Sequence, residues 1–183
     1  MQFKIPQLIP TDKDKFIEFW ARRYSYRSDE YTELYNENIG QALNDERVRK
    51  LFRWKNGTNI SKGKSKSVEI YVAELNKSPK IDSLEKGKEY IANLNGGAVW
   101  DIFWIHCLNN KLFPIFDQHA SRAMSDMNEL NLDDLKSYSR SEQINIYFNH
   151  YIPFISKIGG DMRLLDKALF AYGKELKTGL FSI

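Results

Sequence analysis

Residues Leu112–Met124 read Leu-Phe-Pro-Ile-Phe-Asp-Gln-His-Ala-Ser-Arg-Ala-Met. One acid, Asp117, directly follows the apolar segment Phe113-Pro114-Ile115-Phe116 and precedes a Gln-His pair. A carboxylate beside apolar neighbours is costly to bury, so it is kept mostly where chemistry or a helix cap requires it. Upstream stands Asn95-Gly96-Gly97, a glycine turn, and then Ala98–Leu108, apolar on nearly every side. A helix of that kind belongs in the middle of a domain. The polar break Asn109-Asn110-Lys111 separates it from the Asp117 segment. The spacing therefore predicts helix, glycine turn, buried helix, break, and a third helix opening near Gln118.

Composition sets the frame. With 183 residues, 42% hydrophobic and 14% aromatic, the chain can bury a sizeable core, as one domain or as two small lobes around a cleft. No apolar run is long enough to span a bilayer, and the N-terminal residues lack a charged-then-apolar leader pattern. The lone Cys107 offers no disulfide framework. These features place the expected chain in the cytoplasm. No cluster of His, Cys or carboxylates has metal-ligand spacing, so neither a metal nor a cofactor is expected.

Elsewhere the apolar periodicity is helical. Met1–Pro10 reads as irregular, Thr11 as a cap, and Phe16, Ile17, Trp20 and Tyr24 as one helix face. Asp29–Leu43 is expected to be helical and broken near Gly40, and Asn44-Asp45-Glu46 to open a helix stopped at Gly57. Thr58–Ser67, rich in Gly, Ser and Lys, reads as a loop. Val68, Tyr71, Val72 and Leu75 keep helical spacing, though their β-branched content leaves a strand open. Asp82 with Glu85 and Ser139 with Glu142 have capping-box spacing. The first opens a helix through Leu94; the second opens one that Pro153 is expected to kink. Gly159-Gly160-Asp161 precedes a last helix with Met162, Leu165, Leu169, Tyr172 and Leu176 on one face. Strand signals are scarce, so the fold class is all-α.

The net charge of +3 says little, but the positive residues cluster. Arg47, Arg49, Lys50, Arg53 and Lys55 share one segment, and Lys62, Lys64 and Lys66 follow. Taken alone, such a run is a solvated helix face with a loop. Beside a nucleic-acid site it becomes a phosphate-contacting surface.

Glycine hairpin, buried helix and Phe-Pro-Ile-Phe-Asp-Gln-His with Arg122 together resemble the core of the helix-hairpin-helix DNA glycosylase superfamily. About 20 residues separate Gly97 from Asp117, as in that family, and the comparison covers about a third of the chain, residues 82–108 for the hairpin element and 112–124 for the aspartate segment. The sequence departs from the family at Leu94-Asn95-Gly96-Gly97, where a glycine pair stands in place of Gly-hydrophobic-Gly. The resemblance implies a two-lobed helical fold with a cleft, formed by residues 1–183 as one compact domain. It implies double-stranded DNA as partner, with no membrane and no obligate protein partner.

Asp117 is implied as the catalytic carboxylate, stabilising positive charge on the sugar as the base leaves. The target base is expected to be flipped out of the duplex. Gly96, Gly97, Arg122, Arg47, Lys50, Arg53 and Lys55 are the candidate backbone contacts; Gln118, His119, Trp100, Phe170 and Tyr172 are the candidate base-pocket residues. Members that also cut the strand carry a Schiff-base lysine at the start of the helix after the hairpin. Here that start is Ala98, Val99 and Trp100, which implies a monofunctional enzyme. A single cysteine excludes the four-thiolate iron–sulfur cluster of some relatives.

Three substrate classes stay open: an oxidised purine, a mismatched or deaminated base, and a bulky modified base of phage DNA, which would make the enzyme part of antiviral defence. The alternative is a non-enzymatic DNA-binding module in which Asp117 only caps a helix. His106 reads as a core histidine, His119 as structural or phosphate-facing, and Asp101 as facing the cleft or its edge. Trp20, Trp54, Trp100 and Trp104 are core by type, with one of them open to stacking on an everted base.

Overall fold

A computed structural model describes residues 12–25, 29–130 and 132–178. The expected Met1–Pro10 segment and the Thr11 cap lie outside the described residues. Every element among the described residues is helical, in keeping with the all-α expectation. No helix among them is long and apolar enough to cross a membrane. The chain divides into two compact units, Met1–Tyr24 with Phe116–Ile183, and Ser25–Ile115.

The Ser25–Ile115 unit holds α2 (Asp29–Asn36), α3 (Asp45–Asn56), α4 (Lys62–Glu74), α5 (Leu84–Ala92) and α6 (Ala98–Leu108). Its centre is α6, whose residues Asp101–Cys107 are all buried, as the all-round apolar pattern requires. Phe52 stacks on Tyr71 with ring centroids 4.4 Å apart, and Tyr35 packs on Trp54 at 4.4 Å. The buried Asp101 and His106 are both hydrogen-bonded inside this core. Tyr71 donates to Asp101 at 2.8 Å, so that acid lies within the core rather than at an edge. His106 bonds the Tyr35 hydroxyl at 2.8 Å and the Phe113 carbonyl at 2.6 Å, as a core histidine would. Burial pushes the Cys107 thiol up, which leaves it a packing residue.

α5, a turn at 93–97 and α6 follow one another along the chain in the stretch expected to carry the hairpin. Gly96 is required there, because a Cβ would collide with the Tyr71 hydroxyl and the Asp101 carboxylate. Gly97, in extended backbone, has open space around it.

Several boundaries differ from the sequence reading. Ser61 caps α4 by accepting from the Lys64 N–H, so most of the expected 58–67 loop is its first turns. Val68 and Tyr71 supply the only buried side chains of that helix, and its lysine-rich start is solvated. The strand left open there is therefore absent. α2 ends at Asn36, with Gly40 at φ +72 beyond it. Ser83, not Asp82, caps α5, which stops at Ala92; Asp82 instead pairs with Lys86 at 2.7 Å.

The second unit holds α1 (Lys13–Ala21), α7 (Gln118–Met127), α8 (Arg140–Ile146), α9 (Ile152–Ile158) and α10 (Met162–Lys177). Asp12 caps α1, and Ser139 with Glu142 forms the expected capping box on α8. Between α8 and α9 runs a π turn, Tyr147–Tyr151, in which the Ile152 N–H bonds the Tyr147 carbonyl. Pro153 sits at the start of α9. Lacking an N–H and crowding the carbonyl four residues back, it is accommodated by this widened turn where a kink was expected. α10 packs on both α1 and α7. At the α7 crossing stands Gly173, where any Cβ would run into the His119 main chain.

Candidate active site around Asp117

Asp117 is the N-cap of α7. Its backbone is extended, and its Oδ1 accepts from the His119 N–H at 2.8 Å and the Ala120 N–H at 3.0 Å. The residue is half-buried, with the fully buried Phe116 behind it. Capping and catalysis are compatible, since two main-chain donors fix the direction of the carboxylate.

Aromatic and charged groups surround the cap within the same unit. The His119 ring meets Phe170 at 4.9 Å, and Phe170 meets Tyr24 at 5.4 Å. The Arg163 guanidinium lies 5.6 Å from the Tyr24 centroid and the Lys167 ammonium 5.8 Å. Arg163 pairs with Asp166, whose side chain is only 12% exposed. Tyr151, fully buried, packs on Phe116 at 4.9 Å.

Burial pushes the Tyr24 phenol up to about 12, against the pull of Arg163, while Asp166 and Asp117 add to the rise. Burial likewise drives Tyr151 well above the ordinary phenol range, followed by the negative charges of Asp166 and Asp117. Both phenols therefore stay protonated donors in a field set by two carboxylates. His119 goes the other way. Burial lowers its pKa, opposed chiefly by Asp117, so the ring is neutral at neutral pH.

The candidates named from sequence are dispersed. Asp117, His119 and Phe170 come together. Gln118 is half-buried and lines a separate groove with Ser121, Arg122, Asp126 and Asp134. Arg122 donates to the Gly173 carbonyl at 2.9 Å and lies 3.7 Å from Asp134, so it ties α7 to α10 and to the following turn. Tyr172 is filled in by α1, against Phe16 at 5.3 Å and Trp20 at 5.1 Å, and its hydroxyl donates to Asp126. Trp100 belongs to the other unit, half-buried on the first turn of α6; Trp20, Trp54 and Trp104 are core.

Tyr24, Tyr151, Arg163 and Asp166 were not among the expected site residues. The signal for two of them was present: Arg163, Asp166, Phe170 and Gly173 recur at helical spacing along α10, one residue beyond its apolar stripe.

The basic residues sort by partner. Arg49 pairs with Glu69, Lys50 with Glu46 at 2.6 Å, and Arg53 with Glu30 at 3.5 Å. Arg47 donates to the Ala42 carbonyl, and the Lys55 ammonium lies 5.5 Å from the Phe103 centroid. Lys64 bonds Asn56 at 2.7 Å and lies 6.0 Å from the Trp100 centroid. Lys62 and Lys66 are exposed and have no acidic partner among the described residues. No group of three or more metal-ligating side chains occurs among the described residues.

Comparison of the chain with family models, with curated proteins and with solved structures finds no match.

Proposed function

We propose that the chain is a monofunctional DNA glycosylase that extrudes a damaged or modified base and hydrolyses its N-glycosidic bond. The observation that carries this reading is Asp117, a half-buried carboxylate fixed by two main-chain N–H groups at the end of the Phe-Pro-Ile-Phe run. As the C1′–N bond lengthens, the sugar gains positive charge. A carboxylate already oriented in a poorly solvated setting stabilises that charge without reorganising, and it accepts a proton from the attacking water. The helix-hairpin-helix element offers main-chain N–H groups at the exposed Gly97 for phosphate oxygens. α6 opens with Ala98, Val99 and Trp100, which supports hydrolysis without a Schiff base.

The test is release of free base, identified by mass spectrometry. The panel comprises duplexes carrying 8-oxoguanine, adenine opposite 8-oxoguanine, uracil or hypoxanthine, and a hypermodified phage DNA. One member is expected to yield a free base and an abasic site, and Asp117→Asn to abolish the yield while still binding the duplex. Full activity of Asp117→Asn on a cleaved substrate overturns the assignment. Salt-sensitive binding with no abasic product from any member favours the non-enzymatic module.

A further inference from the structure

We infer that the groove along α7 is a binding site for an aliphatic polyamine, an assignment independent of the glycosylase reading. Every residue that lines the groove lies within one unit. Its volume is about 490 Å³, in the range of small-molecule sites. Gln118, Ser121, Arg122, Ser125, Asp126 and Glu129 line it from α7 and the residues just beyond. Their helical spacing puts these side chains on one face.

Two independent observations point to a ligand. Ser121 is only 3% exposed, yet it lines the groove, and its hydroxyl has no hydrogen-bond partner among the described residues. A buried serine in a helix ordinarily bonds a carbonyl one turn back, and alanine would suit the helix better. Left unbonded, the hydroxyl is a donor and acceptor open to whatever enters.

The second observation is charge. Four carboxylates, those of Asp126, Glu129, Asp133 and Asp134, line the groove against one guanidinium, that of Arg122. Asp134 lies 3.7 Å from Arg122, and Asp126 accepts from the Tyr172 hydroxyl. Glu129 and Asp133 are exposed, and their carboxylates have neither an ion pair nor a hydrogen bond among the described residues.

The lining also selects among cations. Phosphates are repelled by this acidic wall, so the groove does not serve the DNA backbone. No group of three or more metal-ligating side chains occurs among the described residues. None of the lining residues is aromatic, so the groove has neither a stacking platform for a base nor a cage for a quaternary ammonium. What remains is aliphatic: Leu130, Leu132, Leu135 and Leu176 complete the lining. A chain of methylene groups bearing ammonium groups matches both surfaces. Its stem packs on the leucines, and its N–H groups donate to Glu129, Asp133 and the Ser121 hydroxyl.

Spermidine titrated into the full chain at fixed ionic strength tests the site by calorimetry. One saturable site per chain is expected. Glu129→Gln with Asp133→Asn, and separately Ser121→Ala, should each weaken binding at least ~10-fold. Thermal midpoints without spermidine should hold in both variants, since the exposed carboxylates and the Ser121 hydroxyl bond nothing in the protein. Binding that does not saturate, that magnesium at equal charge displaces equally well, or that survives both sets of substitutions overturns the site. A lysine-rich peptide that binds at least ~10-fold tighter than spermidine overturns the small-ligand assignment in favour of a protein-docking surface. No DNA enters the measurement, so its outcome and that of the base-release assay are read separately.

Discussion

Gly173 of α10 lies directly against the main chain of His119 in α7, so close that a Cβ on residue 173 would collide with the His119 carbonyl. A glycine inside a helix costs about 1 kcal/mol relative to alanine. Here the cost is offset by the close helix crossing that holds His119 next to Phe170, two residues from Asp117. Gly173→Ala improves helix propensity yet should destabilise the chain by about 1–3 kcal/mol, because the obstacle is backbone and must shift. Urea unfolding measures this. An unchanged or higher stability would show that the helices separate freely and that the crossing does not fix the site.

Asp117 does two jobs that substitution separates. Asparagine also caps helices, so Asp117→Asn should keep nearly the parent thermal midpoint while losing base release. Asp117→Ala leaves the His119 and Ala120 N–H groups without the side-chain oxygen they share. It should cost about 1 kcal/mol of stability in addition to activity. Comparing the two variants by thermal unfolding and by base release tells a cap from a catalyst: two equally stable variants would mean that the cap contributes nothing.

The helices α6, α8 and α10 were legible from periodicity, because they bury stripes or whole surfaces of apolar residues. The start of α4 was not. Its Lys-Gly-Lys-Ser-Lys run buries nothing, so neither hydrophobic spacing nor composition separates it from a loop; only the Ser61 cap marks it. At the site, Asp117 was legible because its chemistry is local to one segment. Tyr24, Tyr151 and Asp166 were not, because three elements far apart in sequence bring them together. Tyr172 and Phe170 look equivalent in sequence, yet two residues' difference on a helix turns one into α1 and the other toward His119.

His119 makes a pH prediction whose sign follows from its burial. Its folded pKa lies below the unfolded value of about 6.5, so the unfolded chain binds the proton more readily. The stability it contributes is complete above about pH 6.5 and declines as pH falls toward the folded pKa. His119→Gln should therefore lose less stability than the parent between about pH 7 and pH 5.5 in urea titrations. Tyr24 acts at the other end. Its phenol is pushed up to about 12, so its contribution is intact below about pH 10 and lost as pH rises through about 12. Tyr24→Phe should flatten that alkaline decline; a parallel decline in the variant would contradict the burial seen here.

For DNA binding, the lysines without acidic partners should matter more than the paired cations. Arg49 and Lys50 already face Glu69 and Glu46, so bringing a phosphate to them means giving up an ion pair. Lys62 and Lys66, on the solvated start of α4, carry no such cost. Under the proposed function, Lys62→Ala with Lys66→Ala should weaken duplex binding and reduce the salt slope by about 2, whereas Arg49→Ala should change either quantity little. Fluorescence anisotropy across a salt series decides this. An unchanged slope in the double variant would remove α4 from the DNA surface.

The glycine pair of the hairpin should respond asymmetrically. At Gly96 a Cβ has no room, since the Tyr71 hydroxyl and the Asp101 carboxylate already meet there. Gly96→Ala forces those groups apart and weakens the bond that Tyr71 donates to a fully buried carboxylate, a disruption expected to cost about 3 kcal/mol or more. Gly97→Ala meets open space in an ordinary extended backbone, so its stability should stay within about 0.5 kcal/mol of the parent. Any effect of Gly97→Ala should appear instead in duplex affinity, where a methyl group intrudes between the main chain and a phosphate. Thermal unfolding and anisotropy on the two variants separate the roles. If Gly96→Ala were as stable as the parent, the Tyr71–Asp101 bond would not be what holds the hairpin against α6.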